Sequence, residues 1–146
     1  MLGRLFLKIL YWLKDNSNYI YNKIHKSNLP IKELLLDQSI IAGLGNIYAN
    51  EVLFLSKINP YKKGCDLSLE ECESILSSSV KILNAAIELG GTTIKSYTSS
   101  LGVTGKYQDK LLVHKRDNLP CFNCGEKIIK ERISGRSVYY CPKCQK

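Results

Sequence analysis

Four of the six cysteines in this 146-residue chain form two C-x2-C pairs, Cys121-Phe122-Asn123-Cys124 and Cys141-Pro142-Lys143-Cys144, with residues 125–140 between them. That separation falls in the window, about 15–20 residues, at which two thiolate-bearing turns close on one ion. A hairpin between the pairs gathers Cys121, Cys124, Cys141 and Cys144 into a tetrahedral S4 site. With every coordination position taken by protein, the ion, one Zn2+, is structural. Its binding energy replaces the hydrophobic core that about 25 residues cannot build for themselves. The other use of four thiols is two disulfides, as in secreted domains. No cleavable signal segment precedes them, and the paired spacing favours metal in a reducing cytoplasm. Cys65 and Cys72 have no pair of their own and read as free thiols on or near a helix.

The rest of the chain is long enough for one ordinary core beside such a module. With 45% hydrophobic and 23% charged residues and no low-complexity run, it is expected to fold. The opening run Leu2 to Leu13 is apolar, but it is too short to span a bilayer and carries Lys8 in its middle, so it reads as a docking helix and no membrane is expected. The net charge of +8 is unevenly spread. Residues 1–63 hold nine Lys/Arg against four Asp/Glu, residues 64–104 two against five, and residues 105–146 ten against four. Two basic regions around an acidic one point to a polyanionic partner, because phosphate binding is driven largely by counterion release.

Apolar spacing then places the elements. Pro30 opens a helix through Ile31, Leu34, Leu35 and Ile41, Gly43-Leu44-Gly45-Asn46 ends it, and a second helix runs from Ile47 to Lys57 before Asn59-Pro60. Ser68 and Glu71 fit a capping box for a third helix, with a stripe of Leu69, Cys72, Ile75, Leu76, Val80, Leu83 and Ile87 and a stop at Gly90-Gly91. Residues 92–120 read as a functional loop and connector. Two strands, near Lys127–Glu131 and Ser137–Tyr140, flank Ser134-Gly135. Within them Lys127, Lys130, Arg132 and Arg136 make a cationic face, and Arg136 at the turn can grip a phosphate with two N–H groups. Asn46 and the amides around it face outward at a helix N-terminus, which suits a phosphate. A bare helix hairpin explains that glycine turn equally well.

The run from Leu35 to Glu51, Leu-Leu-Asp-Gln-Ser-Ile-Ile-Ala-Gly-Leu-Gly-Asn-Ile-Tyr-Ala-Asn-Glu, is similar to the helix-two-turn-helix of formamidopyrimidine-DNA glycosylases. Gly90-Gly91-Thr92-Thr93-Ile94-Lys95 and Cys121 to Gln145 resemble that family's next block and its terminal zinc finger, in the same order. The resemblance covers about residues 15–146. It implies a mainly α fold, with a helix-two-turn-helix domain followed by a zinc-bound β-hairpin. Its segments would be an atypical 1–18, a helical DNA-binding domain 19–104, a connector 105–120 and a four-cysteine zinc finger 121–146.

By that resemblance the partner is double-stranded DNA carrying damage, and the setting is base-excision repair of formamidopyrimidine or 8-oxoguanine in the bacterial cytoplasm. Asn46 and Arg136 would contact phosphates around the extruded nucleotide, with Arg136 also credited in δ-elimination. Lys26, Asn28, Tyr48 and Lys95 would complete the DNA-binding set, and the loop after Gly91 would close over the flipped base. Two departures stand out. The family begins with a proline nucleophile followed by glutamate, whereas this chain begins Met1-Leu2-Gly3 and has no Pro-Glu pair. It also reads Val113-His114-Lys115-Arg116 where the family usually has a glycine before the arginine. The expectation is therefore a monomer that binds DNA and, lacking a separate N-terminal catalytic domain, does not excise bases alone. The alternatives are a non-catalytic zinc-dependent DNA-binding module or, from the cysteines alone, a zinc ribbon of the transcription or translation machinery.

Overall fold

The computed structural model describes residues 17–41, 44–90 and 110–146. Among these residues four α-helices, α1 (Ser17–Ile24), α2 (Ile31–Leu35), α3 (Asn46–Leu55) and α4 (Leu69–Gly90), precede an antiparallel hairpin of β1 (Ile129–Ile133) and β2 (Arg136–Tyr140). None of the helices among the described residues is long and apolar enough to cross a membrane.

α1 forms where the sequence shows mostly polar and aromatic residues, because Ile20 and Ile24, one turn apart, are both fully buried. α2 is shorter than the expected helix to Ile41. Asp37 turns its carboxylate onto the Ser39 amide at 2.9 Å and the Ser39 hydroxyl at 2.7 Å, a local bond that competes with the helical ladder. The chain continues in turns, with the Ile40 and Ile41 amides donating to the Asp37 carbonyl. Pro30 stands at the N-cap position, and the start of α2 is fastened by the Ile31 amide to the Lys62 carbonyl at 2.7 Å.

α3 is the axis of the molecule, with eight of its ten residues, Ile47 to Phe54, buried. α4 carries the capping box as expected: the Glu71 amide donates to Ser68 Oγ at 3.1 Å and the Ser68 amide to Glu71 Oε1 at 3.0 Å. Cys72, Ile75, Leu76, Ile82 and Leu83 of α4 close over α1 and α3, whereas Leu69 at the start of the stripe is 38% exposed. Cys72 is buried and Cys65 exposed, both as free thiols.

The hairpin turns through Ser134 (φ 51°) and Gly135 (φ 82°), the left-handed pair that a two-residue type I′ turn requires, with Ile133 opposite Arg136. β1 begins two residues later than expected, because Lys127 and Ile128 pair with Pro120 and Asp117 instead of extending the hairpin. A second core joins the hairpin to α3 through Phe54, Val113, Ile128 and Tyr139 beside Cys121 and Cys141. Tyr61 and Tyr140 both donate to Glu131 Oε1, at 2.9 and 2.8 Å, and strap the hairpin to the loop after α3.

Candidate metal centre and nucleic-acid interface

The four cysteine sulfurs of residues 121, 124, 141 and 144 lie within 4.8 Å of one another. The Cys121–Cys144 and Cys124–Cys141 pairs stand 3.8 and 3.4 Å apart. A disulfide would need about 2.05 Å, whereas four thiolates around a tetrahedral zinc at about 2.3 Å sit close to 3.8 Å from each other. The donor set therefore fits zinc. Backbone amides already point at the sulfurs, Asn123 N to Cys121 at 3.3 Å and Cys144 N to Cys141 at 3.4 Å, as they do where thiolates carry charge. Gln145, fully buried, anchors this knuckle: its Oε1 accepts from Cys141 N at 2.8 Å and its Nε2 donates to the Ile58 carbonyl at 3.0 Å.

The knuckle carries β2, and β2 carries Arg136 at its exposed first position, together with exposed Lys130 and Arg132 on β1. The next carbonyl, that of Ser137, is where the two halves of the molecule meet. It accepts from Lys32 Nζ of α2 at 3.1 Å and, on α3, from Asn46 Nδ2 at 3.2 Å and Asn50 Nδ2 at 3.4 Å. Asn46 and Asn50 reach it together because they lie one turn apart on the same face. The Ser137 carbonyl is thereby held beside the α3 N-terminus, which has no acidic residue in its first turn and no side chain capping it from Gly45. Asn46, at this positive helix end, is half-buried, and Arg136, one residue before Ser137 on β2, is exposed. A cleft of about 300 Å³ separates the turn at Ser134 and Arg136 from Glu33 and Asp37.

A buried carboxylate locks the connector to the same helix. Glu51 is fully buried and accepts from the backbone amides of Leu112, Val113 and His114 at 2.6, 2.9 and 3.0 Å. Burial pushes its carboxyl above the usual range against the pull of those three amides. His114 places Nδ1 2.9 Å from Asn50 Nδ2 and packs its ring edge-on to Tyr139 at 4.7 Å. Its burial, helped by the charge of Lys32, lowers it to about 4, so the ring is neutral and Nδ1 accepts. Lys115 follows with φ 58°, the left-handed backbone that glycine adopts without strain. Arg116 is occupied within the fold, donating to the Leu112 and Pro120 carbonyls at 2.9 Å each and stacking over Phe122 at 3.7 Å.

Lys26 and Asn28 are exposed between α1 and α2, and Cys65 donates to Asn28 Oδ1 at 3.5 Å. Tyr48 is 2% exposed and lies within the core. Lys95 falls outside the described residues.

Residues 13–98, more than half of the chain, match the model of the formamidopyrimidine-DNA glycosylase H2TH domain. The chain belongs to the formamidopyrimidine-DNA glycosylase family. Residues 118–146 match a zinc finger described as found in FPG and IleRS. A formamidopyrimidine-DNA glycosylase of Mycoplasma mobile is 47% identical over 134 residues, 92% of this chain and 48% of that protein. One of Prochlorococcus marinus is 44% identical over 131 residues, 90% of this chain and 46% of that protein. The chain thus spans about half the length of the curated relatives it matches. Lactococcus lactis FPG solved with DNA containing Fapy-dG, and the same enzyme with DNA containing an abasic site, each superpose with a TM-score of 0.78 at 42% identity, over 89% of this chain and 48% of theirs.

Within this family architecture the sequence alone pointed to the cysteines, Asn46 and Arg136. It missed Lys32, Asn50, Glu51 and His114, the residues that join the two halves. A signal was present for two of them: Asn50 and Glu51 are polar residues inside an otherwise apolar helical run. Lys32 gave none, since lysine on a short amphipathic helix is ordinarily solvated.

Proposed function

We propose that this chain is the DNA-binding half of a formamidopyrimidine-DNA glycosylase, holding duplex DNA by its phosphates across a damaged site. The observation that carries this reading is the convergence of Lys32, Asn46 and Asn50 on the Ser137 carbonyl, which ties the strand carrying Arg136 to the α3 N-terminus. Two anion-binding devices on one edge, a fork of N–H donors and a positive helix end, suit two phosphates of one bent strand. Lys26 and Asn28, exposed on the adjoining turn, extend this edge, and Lys95 and Tyr48 complete the set implied by the family. Buried as it is, Tyr48 acts by supporting the helix end.

One zinc ion, held by Cys121, Cys124, Cys141 and Cys144, supplies structure and no open coordination position, so it takes no part in bond breaking. The residues of this chain bind and orient DNA; Arg136 holds the phosphate of the extruded nucleotide and assists loss of the sugar in the family's lyase reaction. Base removal itself calls for an amine at the sugar C1′ and a carboxylate beside it to manage protons. The test uses a duplex with an abasic site and one with a damaged purine. The 146 residues should bind both and prefer them to undamaged duplex. Borohydride should trap them efficiently on the damaged purine only when a proline-bearing N-terminal domain is added. Efficient trapping by these residues alone, or no binding to either duplex, would overturn the reading.

A further inference from the structure

The phosphate reading gives no role to the buried ammonium between its two elements. Lys32 is 1% exposed, a costly place for a cation. Hydrogen-bond satisfaction does not explain it, because the Ser137 carbonyl has two lone pairs and already receives Asn46 and Asn50. Nor does ion pairing: among the described residues the ion pair is Lys62 with Glu71, and no carboxylate meets Lys32. The charge beside it is that of Arg136, and burial together with that like charge lowers Lys32 to about 7. Two neighbouring cations, one buried and one exposed, thus stand without an ion-pair partner among the described residues, with Glu33 and Asp37 across the cleft from Arg136.

We infer that Lys32 is a positioning residue of the phosphate site, fixing the Ser137 carbonyl and with it Arg136 against α3, its own charge completed by the phosphate that Arg136 holds. The inference rests on the DNA-binding reading above. Lys32 itself is buried and does not touch the ligand; it acts through Arg136. A phosphate at Arg136 offsets the repulsion and favours protonated Lys32, so binding draws a proton from solvent onto Nζ. The groups of the elements packed around Lys32 are the guanidinium of Arg136 on β2, Asn46 and Asn50 of α3, which do not titrate, and neutral His114 of the connector. Glu51 of α3 faces the amides of residues 112–114, and Glu33 is the acid on the same helix as Lys32.

The experiment is calorimetry of the zinc-loaded 146-residue chain with a duplex containing an abasic-site analogue, at pH 7.5 in two buffers of different ionisation enthalpy. The unmodified chain should take up a fraction of a proton per complex. Lys32→Met, close in volume and uncharged, should abolish that uptake and should weaken binding about tenfold. In an Arg136→Ala background the same change should weaken binding less than twofold, because Lys32 acts through that guanidinium. A residue with only a structural role would move neither the proton uptake nor the non-additivity. Should Arg136→Ala bind as tightly as the unmodified chain, the DNA-binding reading and this inference both fall. Should Arg136→Ala weaken binding while the unmodified chain takes up no proton, or Lys32→Met binds normally, the inference alone falls. If Lys32→Met fails to hold zinc or fold, the proton uptake of the unmodified chain decides.

Discussion

At Lys115 the backbone takes φ 58° without the residue that most easily adopts it. The family resemblance puts a glycine there, and the left-handed conformation costs a side chain about 1 kcal/mol. Lys115→Gly should therefore raise stability by roughly 0.5–1 kcal/mol in denaturant titration with zinc in excess, and no gain would mean that the connector is not held as described. Glu51 is the opposite case, since three backbone amides lose their acceptor if it goes. Glu51→Ala should cost about 3–5 kcal/mol and Glu51→Gln roughly 1–3, both read from the same titration. For Lys32 the pH dependence has a definite sign. Its folded value, about 7, lies below the ordinary 10.5, so between these the unfolded chain binds more protons and stability rises with pH. Below pH 7 the full cost of the buried charge is present. Lys32→Met should accordingly be more stable by roughly 2–4 kcal/mol at pH 6, and the gain should shrink towards pH 10. A gain independent of pH would contradict this account of the buried ammonium.

The helices and the hairpin differ in what holds them. α3 and α4 close a hydrophobic core of their own, whereas the hairpin tip has a small cluster of Ile133, Val138 and Tyr140 with Ile129 packed against it. Zinc removal by a chelator should thus unfold residues 118–146 while most helical signal in circular dichroism persists, and readdition should restore the hairpin with one zinc per chain by metal analysis. Loss of all helicity with the metal would place the core elsewhere. The same contrast explains what could be read from the sequence. The C-x2-C pairs, the Ser68–Glu71 box and the Ser134-Gly135 turn are local devices, fixed by spacing within a few residues, and each forms where the spacing puts it. α2 stops short of the expected Ile41 because Asp37 can bond either outward or to Ser39, and only the fold decides. β1 starts later than strand periodicity suggests because Lys127 and Ile128 pair with Pro120 and Asp117, a choice invisible to that periodicity. The joint at Ser137 could not have been read at all, since its acceptor is a backbone carbonyl met by side chains from 87 to 105 residues away.

Among the described residues the molecule is a helical core and a four-cysteine hairpin joined through α2, α3 and the loop after α3, so that side chains far apart in sequence meet at one seam. The uneven charge along the chain foreshadowed a polyanionic partner, but charge alone would have suited any polyanion. What narrows it is geometry, with the strand that carries Arg136 tied to the α3 N-terminus, and the family to which the chain belongs. The central claim is that this seam grips phosphates, and the most direct measurement is the salt dependence of binding to a short lesion-bearing duplex, for the zinc-loaded chain and for Arg136→Ala. The account predicts that log affinity falls linearly with log salt, and that Arg136→Ala binds about tenfold more weakly with a slope smaller by about one. Equal affinity and equal slope for the two proteins, both folded and zinc-loaded, would contradict it.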